Sequence, residues 1–454
     1  MRRLPAPFVV LAVLAAVLTA GPAALAAPRT QPLPAAVVTP KPQPQPAPEP
    51  PPPTIVPVPC PSGQSGTCTS PSPFPTKLET PTPSVQAPDV TAEAAIVEDL
   101  ATGQVLYTKN PDTERSLAST TKIMTALLTL ERAKPKDIVT VGADAAEQGS
   151  VGAGFSELGL QEGEQLSVQD LLYALMLQSS NDAAIALADH VSGSVDAFVQ
   201  AMNARAKSLG LTHTVFYSPN GLDDRGHSTA REMAAITREA MATKGFAQIV
   251  RQKFDTIPAP SGPDRQVQNR NVLLWLYRGA NGVKTGYTSA AGFCLVATAT
   301  RDGRGVVAVV LGSPSTEDSF DDAAALLDYG FTGYAIHTFV KAGQAFDPLP
   351  VGTQRLPVEA SAGLQRLLQE PAGKVQRRIA ILPGLAPPIE AGQRVGTVTF
   401  SAAGRDVGSV PLVASGRLET ADTAGTSGEG TAWWLRGLSS IAGFGLGTLF
   451  GLFG

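Results

Sequence analysis

A serine and a lysine three residues apart stand at the predicted start of a helix. The sequence reads Ser119-Thr120-Thr121-Lys122, and the apolar pattern that continues to Glu131 predicts a helix. Residues three apart on a helix share one face, so the amine can reach the hydroxyl. A serine becomes a nucleophile when a base removes its proton, and a lysine withdrawn from water can be that base. Taken alone, such a pattern is more often a serine N-cap followed by an exposed lysine.

A second short motif, Ser179-Ser180-Asn181, follows a predicted helix. On a bend, a hydroxyl and a carboxamide two residues apart can face one cleft, where they can relay a proton and hold a substrate amide. A helix cap, with Asn181 starting the next helix, explains the same residues equally well.

A third motif, Lys284-Thr285-Gly286, lies on a predicted strand. A lysine and a threonine at a strand edge can bind a carboxylate, and a glycine leaves room for substrate backbone to lie alongside. As a lone tripeptide it carries little information.

The order of the three motifs is more informative than any one of them. After the first motif, the second and third follow at separations of about 60 and about 100 residues. This is the motif set of penicillin-binding proteins and class A β-lactamases. With its flanking residues, the sequence closely resembles the D-alanyl-D-alanine carboxypeptidases, which are low-molecular-mass penicillin-binding proteins, over roughly residues 92–334. The segments that carry the resemblance are 117–125, 163–164, 170–173, 179–184, 220–223, 226–231 and 282–288.

The resemblance implies a serine enzyme that removes the terminal D-alanine from peptidoglycan stem peptides. Ser119 is expected to attack the D-Ala–D-Ala carbonyl and become the acyl-enzyme, while Lys122 takes its proton. Ser179 passes a proton to the leaving amine, and Asn181 holds the substrate amide. Water then hydrolyses the ester. A β-lactam, which mimics D-Ala–D-Ala, is expected to acylate Ser119 and to remain there.

The resemblance also implies how the negative charges of the substrate are met. Lys284 supplies a positive field that keeps the catalytic lysine neutral by repulsion and, with Thr285, receives the terminal carboxylate. Gly286 gives the substrate access to the strand. The backbone N–H groups of Ser119 and Tyr287 are expected to form the oxyanion hole. No metal or cofactor is implied.

Some positions depart from the family pattern. Ser180 stands where many relatives have glycine, and Ser319 stands where some relatives have a carboxylate-binding arginine. Either Thr285 and Lys284 suffice for the substrate carboxylate, or another arginine reaches it, with Arg301 and Arg304 as the candidates. Cys294, in an apolar strand, is predicted to be a small buried residue.

Two other functions are compatible with parts of the pattern. One is a β-lactamase-like hydrolase of the same fold, in which a glutamate activates the deacylating water. The glutamates between the second and third motifs, Glu232 and Glu239, lie in a helical run without a Glu-x-x-Leu-Asn loop. The other is a wall-tethered binding module with a relict site, against which the intact motifs argue.

Composition excludes several classes of protein. The chain has 454 residues, of which 43% are hydrophobic and 16% charged, so large folded cores are expected. A formal net charge of −4 gives no indication of a nucleic-acid-binding protein, which is typically basic. The four histidines and three cysteines show no metal-ligand spacing.

The amino terminus predicts export. Arg2 and Arg3 precede an apolar run over residues 8–18 and a small-residue cleavage site, so residues 1–26 are interpreted as a signal peptide. A retained membrane anchor is the alternative. Residues 27–88 form a proline-rich, polyproline-like spacer, in which Cys60 and Cys68 either form a local disulfide or stay free thiols.

The order of the predicted elements indicates an α+β protein. Strands at both ends of residues 89–334, with helices between them, predict a β-lactamase/transpeptidase-like domain with an antiparallel sheet flanked by helices. Short apolar runs broken by proline and glycine predict a small all-β domain over residues 341–415. A linker is expected over residues 416–431.

The final segment, residues 432–454, is apolar with paired tryptophans and a stripe of small residues. A helix lying on the membrane is favoured, because aromatic residues suit the interface. A short membrane span and a flexible tail are the alternatives. The expected location is the outer face of the bacterial cytoplasmic membrane.

Overall fold

The computed structural model describes residue 78, residues 85–150 and residues 156–420. The predicted signal peptide, most of the proline-rich spacer, both of its cysteines and the predicted membrane-associated segment lie outside these residues. Among the described residues, no helix is both long and apolar enough to cross a membrane.

Helices fill the middle of the described chain, and strands dominate its two ends. The strands are β1 Ala94–Asp99, β2 Val105–Lys109, β3 Arg115–Ser116, β4 Ile138–Thr140, β5 Gln165–Ser167, β6 His227–Ser228, β7 Phe254–Ile257, β8 Arg265–Gln268, β9 Ala280–Thr288, β10 Gly292–Arg301, β11 Arg304–Ser313, β12 Tyr334–Val340, β13 Ala345–Val351, β14 Gln354–Ala360, β15 Leu364–Gln369, β16 Val375–Ile381, β17 Arg394–Ala402 and β18 Arg405–Ala414. The helices are α1 Lys122–Arg132, α2 Ala143–Ser150, α3 Val168–Tyr173, α4 Asn181–Ser192, α5 Val195–Ser208, α6 Ala230–Ala242, α7 Phe246–Val250, α8 Leu273–Leu276 and α9 Thr316–Thr332.

A five-stranded antiparallel sheet in the order β2-β1-β11-β10-β9 organises the first part of the described chain. The middle of each central strand is apolar, as in Ala94–Val97 of β1 and Val306–Leu311 of β11, because both faces of the sheet are covered there. Along β11, Val307 and Val309 face one hydrophobic core, while Val306 and Val310 face the other. Strand β9 is one of the two edge strands of this sheet, and among the described residues no further strand pairs with its outer side.

The helical layer on one face is built around α1. Most of α1 is buried, because it packs against α4, α5 and α6 as well as beside β9. Because α1 is covered on nearly all sides, its first residue, Lys122, lies in the protein interior. Ser194 and Thr229 are the N-caps of α5 and α6, and their side chains accept hydrogen bonds from the backbone N–H groups of Ala197 and Glu232.

The segment before the second motif differs from prediction. A single helix was expected up to Leu177, but α3 ends at Tyr173 and the chain continues as the π-helical segment Ala174–Gln178. The wider turn ends at Ser179, whose φ of 72° and ψ of 30° place it in the left-handed region. Such widened turns change the direction of the side chains that follow them.

The strands after α9 form an all-β part. Strand β12 pairs with β15, and a second antiparallel sheet has the order β13-β14-β18-β17-β16. Gln104 Nε2 donates to Leu367 O at 3.1 Å and Tyr334 Oη donates to Leu106 O at 2.8 Å, which fastens this part to the main sheet. The whole arrangement agrees with the predicted α+β class.

Candidate active site

The serine of the first motif lies in a tight turn at the start of the buried helix. Ser119 belongs to the 3₁₀ turn Ala118–Thr121, which runs directly into α1, and it is partly exposed. Ala118 has a φ of 47°, an uncommon value for a residue with a Cβ. The turn is therefore held by its surroundings, and it presents the hydroxyl where unpaired helix N–H groups gather.

The lysine of the same motif is the best-connected polar group of the site. Lys122 is fully buried, and its Nζ lies 2.9 Å from Ser119 Oγ. The same nitrogen lies 2.7 Å from Asn181 Oδ1 and 2.7 Å from the backbone oxygen of Asn220. The first two motifs therefore meet around one amine, together with a loop residue that precedes α6.

These contacts leave the neutral amine one way to act. A lysine that has lost its proton keeps two N–H donors and gains a lone pair, whereas amide and carbonyl oxygens can only accept. Both donors are then committed to Asn181 and Asn220, and the lone pair faces Ser119. With the amine neutral, the serine hydroxyl can donate to Lys122, which is the direction that a general base requires.

The surroundings of Lys122 favour its neutral form. Burial, together with the nearby positive charge of Arg270, lowers the pKa of Lys122 to about 7, although Glu157 and Asp182 oppose the shift. A general base works best when its pKa lies near the working pH. Lys122 therefore holds a substantial neutral fraction near pH 7.

The hydroxyl of the second motif is buried and available. Ser179 Oγ has no hydrogen-bond partner among the described residues, and neither has Ser180 Oγ. Asn181 begins α4 as the cap interpretation required, but Ser180 at the N-cap position makes no side-chain cap. Asn181 Nδ2 donates one hydrogen bond to Glu157 at 3.1 Å.

The third motif lies on the edge strand β9. Lys284 is buried, its Nζ donates to Thr285 O at 2.9 Å, and Thr285 is half-buried. Burial lowers the pKa of Lys284 well below its usual range, and repulsion from Lys122 and Arg270 adds to the effect. The resemblance implied that repulsion from Lys284 keeps Lys122 neutral; here the repulsion from Lys122 lowers the pKa of Lys284, and the cation that lowers the pKa of Lys122 is Arg270.

Gly286 allows β9 to lie directly against the serine turn. A Cβ on Gly286 would stand 3.0 Å from the backbone nitrogens of Ser119 and Thr120, closer than real Cβ atoms come without displacing a neighbour. The absence of a side chain therefore sets the separation of strand and turn. Tyr287, the next residue, is 51% exposed and stacks on Phe293 with ring centroids 4.4 Å apart.

A second glycine closes the other side of the turn. Gly221 has a φ of +81°, and a Cβ there would stand 1.9 Å from the backbone oxygen of Ala118. No other residue type fits this position. The close approach brings the neighbouring Asn220 carbonyl to Lys122.

Two charged residues of the site, Arg270 and Glu157, were not identified from the sequence. Arg270 follows β8; its backbone N–H donates to Leu177 O at 3.1 Å and its Nη1 donates to Ser156 Oγ at 3.0 Å. Burial lowers the pKa of Arg270 to about 10, with Glu157 opposing. Both residues lie in loops, where a polar residue carries no periodic signal that separates a site from solvent.

The two arginines proposed for the substrate carboxylate are elsewhere, and that prediction is wrong. Arg301 and Arg304 face each other at the turn between β10 and β11, and each binds an aspartate carboxylate, at 3.0 and 3.1 Å. Thr285 pairs with Leu295, six residues from Arg301, which is about 20 Å along the strand. Ser319 is buried. Cys294 is buried as predicted.

Comparison with known proteins decides the family. The sequence model of the D-alanyl-D-alanine carboxypeptidases matches residues 82–315, which include all three motifs and their neighbours described above. The chain belongs to this family. It is therefore a serine-type D-alanyl-D-alanine carboxypeptidase, and the resemblance seen in the sequence is confirmed.

Curated relatives match over most of their own length. D-alanyl-D-alanine carboxypeptidase DacC of Escherichia coli is 36% identical over 358 residues, which cover 74% of this chain and 86% of the relative. D-alanyl-D-alanine carboxypeptidase DacF of Bacillus subtilis is 32% identical over 334 residues, covering 71% and 85%.

Solved structures confirm the mixed helix-and-sheet fold of penicillin-binding proteins. Penicillin binding protein 6B of Escherichia coli is 31% identical, with a TM-score of 0.58, and the match covers 74% of this carboxypeptidase and 99% of that chain. The Streptomyces K15 DD-transpeptidase is 36% identical, with a TM-score of 0.52, and covers 54% and 99%.

Replacing Gly286 by alanine is expected to slow acylation of Ser119 by a fluorescent penicillin at least roughly 100-fold, because the new methyl group pushes β9 away from the serine turn and misaligns the reacting groups. Stopped-flow or gel measurement of labelling gives the rate constant. Gly363→Ala is the matched control, since a Cβ there makes ordinary contacts at 3.5 Å or more. Equal rates for both variants would exclude the close approach as a requirement.

Proposed function

We propose that this carboxypeptidase releases the terminal D-alanine of peptidoglycan stem peptides through an ester on Ser119. The observation that supports this most strongly is the fully buried Lys122 amine, 2.9 Å from Ser119 Oγ, whose other two contacts are to oxygens that can only accept. The oxygens of Asn181 and Asn220 accept both N–H groups of the neutral amine, so its lone pair is directed at Ser119 Oγ.

In the acylation step, Ser119 Oγ forms a bond to the carbonyl carbon of the penultimate D-alanine as its proton passes to Lys122. The C–N bond to the terminal D-alanine then breaks. The departing amine takes a proton relayed by Ser179, whose buried Oγ has no competing partner among the described residues. The products are the Ser119 ester and free D-alanine.

The negative charges of the substrate are bound along the edge strand β9. The stem peptide lies beside the free edge of β9, as peptides commonly add to an exposed strand. Its terminal carboxylate meets Lys284 and Thr285. Because Gly286 brings β9 against the turn, the backbone N–H groups of Ser119 and Tyr287 form the oxyanion hole for the tetrahedral intermediate.

Hydrolysis of the ester by water completes the reaction and restores Ser119. A β-lactam acylates the same serine and stays, because its ring-opened product has no separate leaving group to vacate the site. The glutamates weighed for a β-lactamase-like water are engaged elsewhere: Glu232 accepts from the Thr214 hydroxyl at 2.5 Å, and Glu239 binds Arg205. Neither supports fast turnover of a penicillin adduct.

We also propose where the enzyme works. The sequence of residues 1–26 supports export, and the apolar residues 432–454 with their paired tryptophans support attachment to the outer face of the cytoplasmic membrane. The proline-rich residues 27–88 act as a spacer, and residues 341–415, as a domain linked to the tail by residues 416–431, set the height of the site above the membrane.

Ser119→Ala is expected to abolish both covalent labelling by fluorescent penicillin and D-alanine release from a muramyl pentapeptide, because Ser119 is the only hydroxyl among the described residues that contacts Lys122 Nζ. Mass spectrometry of the wild-type adduct locates the label. Ser361→Ala, at an exposed site in the all-β part, is the control. Wild-type protein that neither labels nor releases D-alanine would refute the proposed activity.

The second-order rate constant for labelling is expected to rise about tenfold per pH unit below pH 7 and to level off above it. The cause is the pKa of Lys122, which is about 7, since the protonated amine has no lone pair for the Ser119 proton. Rates measured from pH 5 to 9, with folding checked by circular dichroism at each pH, test this. A flat profile below pH 7 would exclude Lys122 as the base.

Removal of residues 432–454 is expected to move the enzyme from the membrane fraction to the soluble fraction, because the apolar surface that binds the lipid interface is lost. Both versions start at residue 27, so a retained leader cannot anchor them. Vesicle co-sedimentation measures the difference. Equal sedimentation of both versions would show that the attachment lies elsewhere.

A further inference from the structure

A carboxylate that no motif contains lies behind the second motif. Glu157 Oε1 accepts a hydrogen bond from Asn181 Nδ2 at 3.1 Å, and its other oxygen accepts from the backbone N–H of Ser156 at 3.0 Å. Its own carbonyl accepts from Gln178 Nε2 at 3.0 Å. The side chain is therefore held from both sides, with one oxygen directed at an amide that touches Lys122.

We propose that Glu157 is a positioning residue for the proton transfer: it fixes which way the Asn181 amide faces and so keeps the lone pair of Lys122 on Ser119. This inference rests on the proposed function of the serine and lysine. Glu157 itself does not touch the reacting atoms.

The argument follows from what each group can donate or accept. An asparagine amide has two orientations of nearly the same shape, which exchange its oxygen and its nitrogen. A carboxylate only accepts, so Glu157 selects the orientation that turns Nδ2 towards itself and Oδ1 towards Lys122. In the reverse orientation an N–H of Asn181 would face an N–H of Lys122. The amine would then rotate, and its lone pair would leave Ser119.

The charge of Glu157 also acts on the base. The charged groups around Lys122 in the described residues are the cations Arg270 and Lys284 and the carboxylates of Glu157 and Asp182. Asp182 is saturated by backbone N–H groups of the loop ahead of it and of its own helix. Glu157 is thus the carboxylate that engages the site through a side chain, and its charge favours the protonated lysine.

Replacing Glu157 by glutamine separates the two effects. A glutamine oxygen can still accept from Asn181 Nδ2, so the amide keeps its orientation and the labelling rate constant above pH 8 is expected to stay within about threefold of wild type. The negative charge is lost, so the pKa of Lys122 falls. The acid limb of the pH profile is expected to move to lower pH by about 0.5 to 1 unit.

Replacing Glu157 by alanine removes the acceptor as well as the charge. The amide is then free to turn, and the rate constant above pH 8 is expected to fall roughly 10- to 100-fold. Glu162→Gln, an exposed glutamate of the same loop, is the matched control and is expected to keep the wild-type profile. Labelling with a fluorescent penicillin from pH 5 to 9 and a melting temperature are measured for every variant.

Three results would overturn the inference. The first is an unchanged acid limb in Glu157→Gln. The second is an equal loss of rate in the glutamine and alanine variants with a matching loss of melting temperature, which would show that Glu157 only holds its loop. The third is normal acylation with a greatly prolonged adduct in Glu157→Gln, which would make it the base for deacylation. Failure of the wild-type enzyme to label would instead refute the proposed function.

Discussion

The site depends on an amine held away from water. Lowering a lysine pKa from 10.5 to about 7 corresponds to about 5 kcal/mol of bias against the ammonium form. Because the unfolded chain keeps the ordinary pKa, the burial of Lys122 reduces the stability of the fold most below pH 7, and the penalty fades as the pH rises towards 10.5. On the proposed function, the cost is tolerated because the neutral lysine acts as the base, and the large cores of the sheet and helices offset it.

The geometry of the turn that carries Ser119 follows from backbone contacts. Gly286 lets β9 press on one side of the turn, and Gly221 lets a loop press on the other. Thr125, one turn further along α1, donates to the Pro219 carbonyl at 2.6 Å and ties the helix to the same loop. Because backbone contacts on both sides of the turn fix the position of the Ser119 hydroxyl, little conformational freedom is lost when it reacts. This is how positioning increases the rate.

Sequence reasoning succeeded where a pattern has a physical period or a fixed motif. The three motifs, which are far apart in the sequence, lie close together in space. It failed where the determinant is tertiary. Strand β13 contains two prolines, which argue against a strand, but their missing donors are tolerated beside a bulge in an edge strand. Arg270 is assigned to the site only by the packing of its loop against the π-helical segment.

The missing arginine at position 319 is best understood through the charges that remain. Lys284 is buried, and its pKa is held well below the usual range by that burial and by two neighbouring cations. On the proposed function, a substrate carboxylate arriving beside Lys284 favours its charged form, because an opposite charge stabilises the ammonium. That new positive charge then opposes protonation of Lys122. Binding of the terminal carboxylate at Lys284 therefore also keeps the base Lys122 neutral. An arginine further from Lys122 would not couple the two effects.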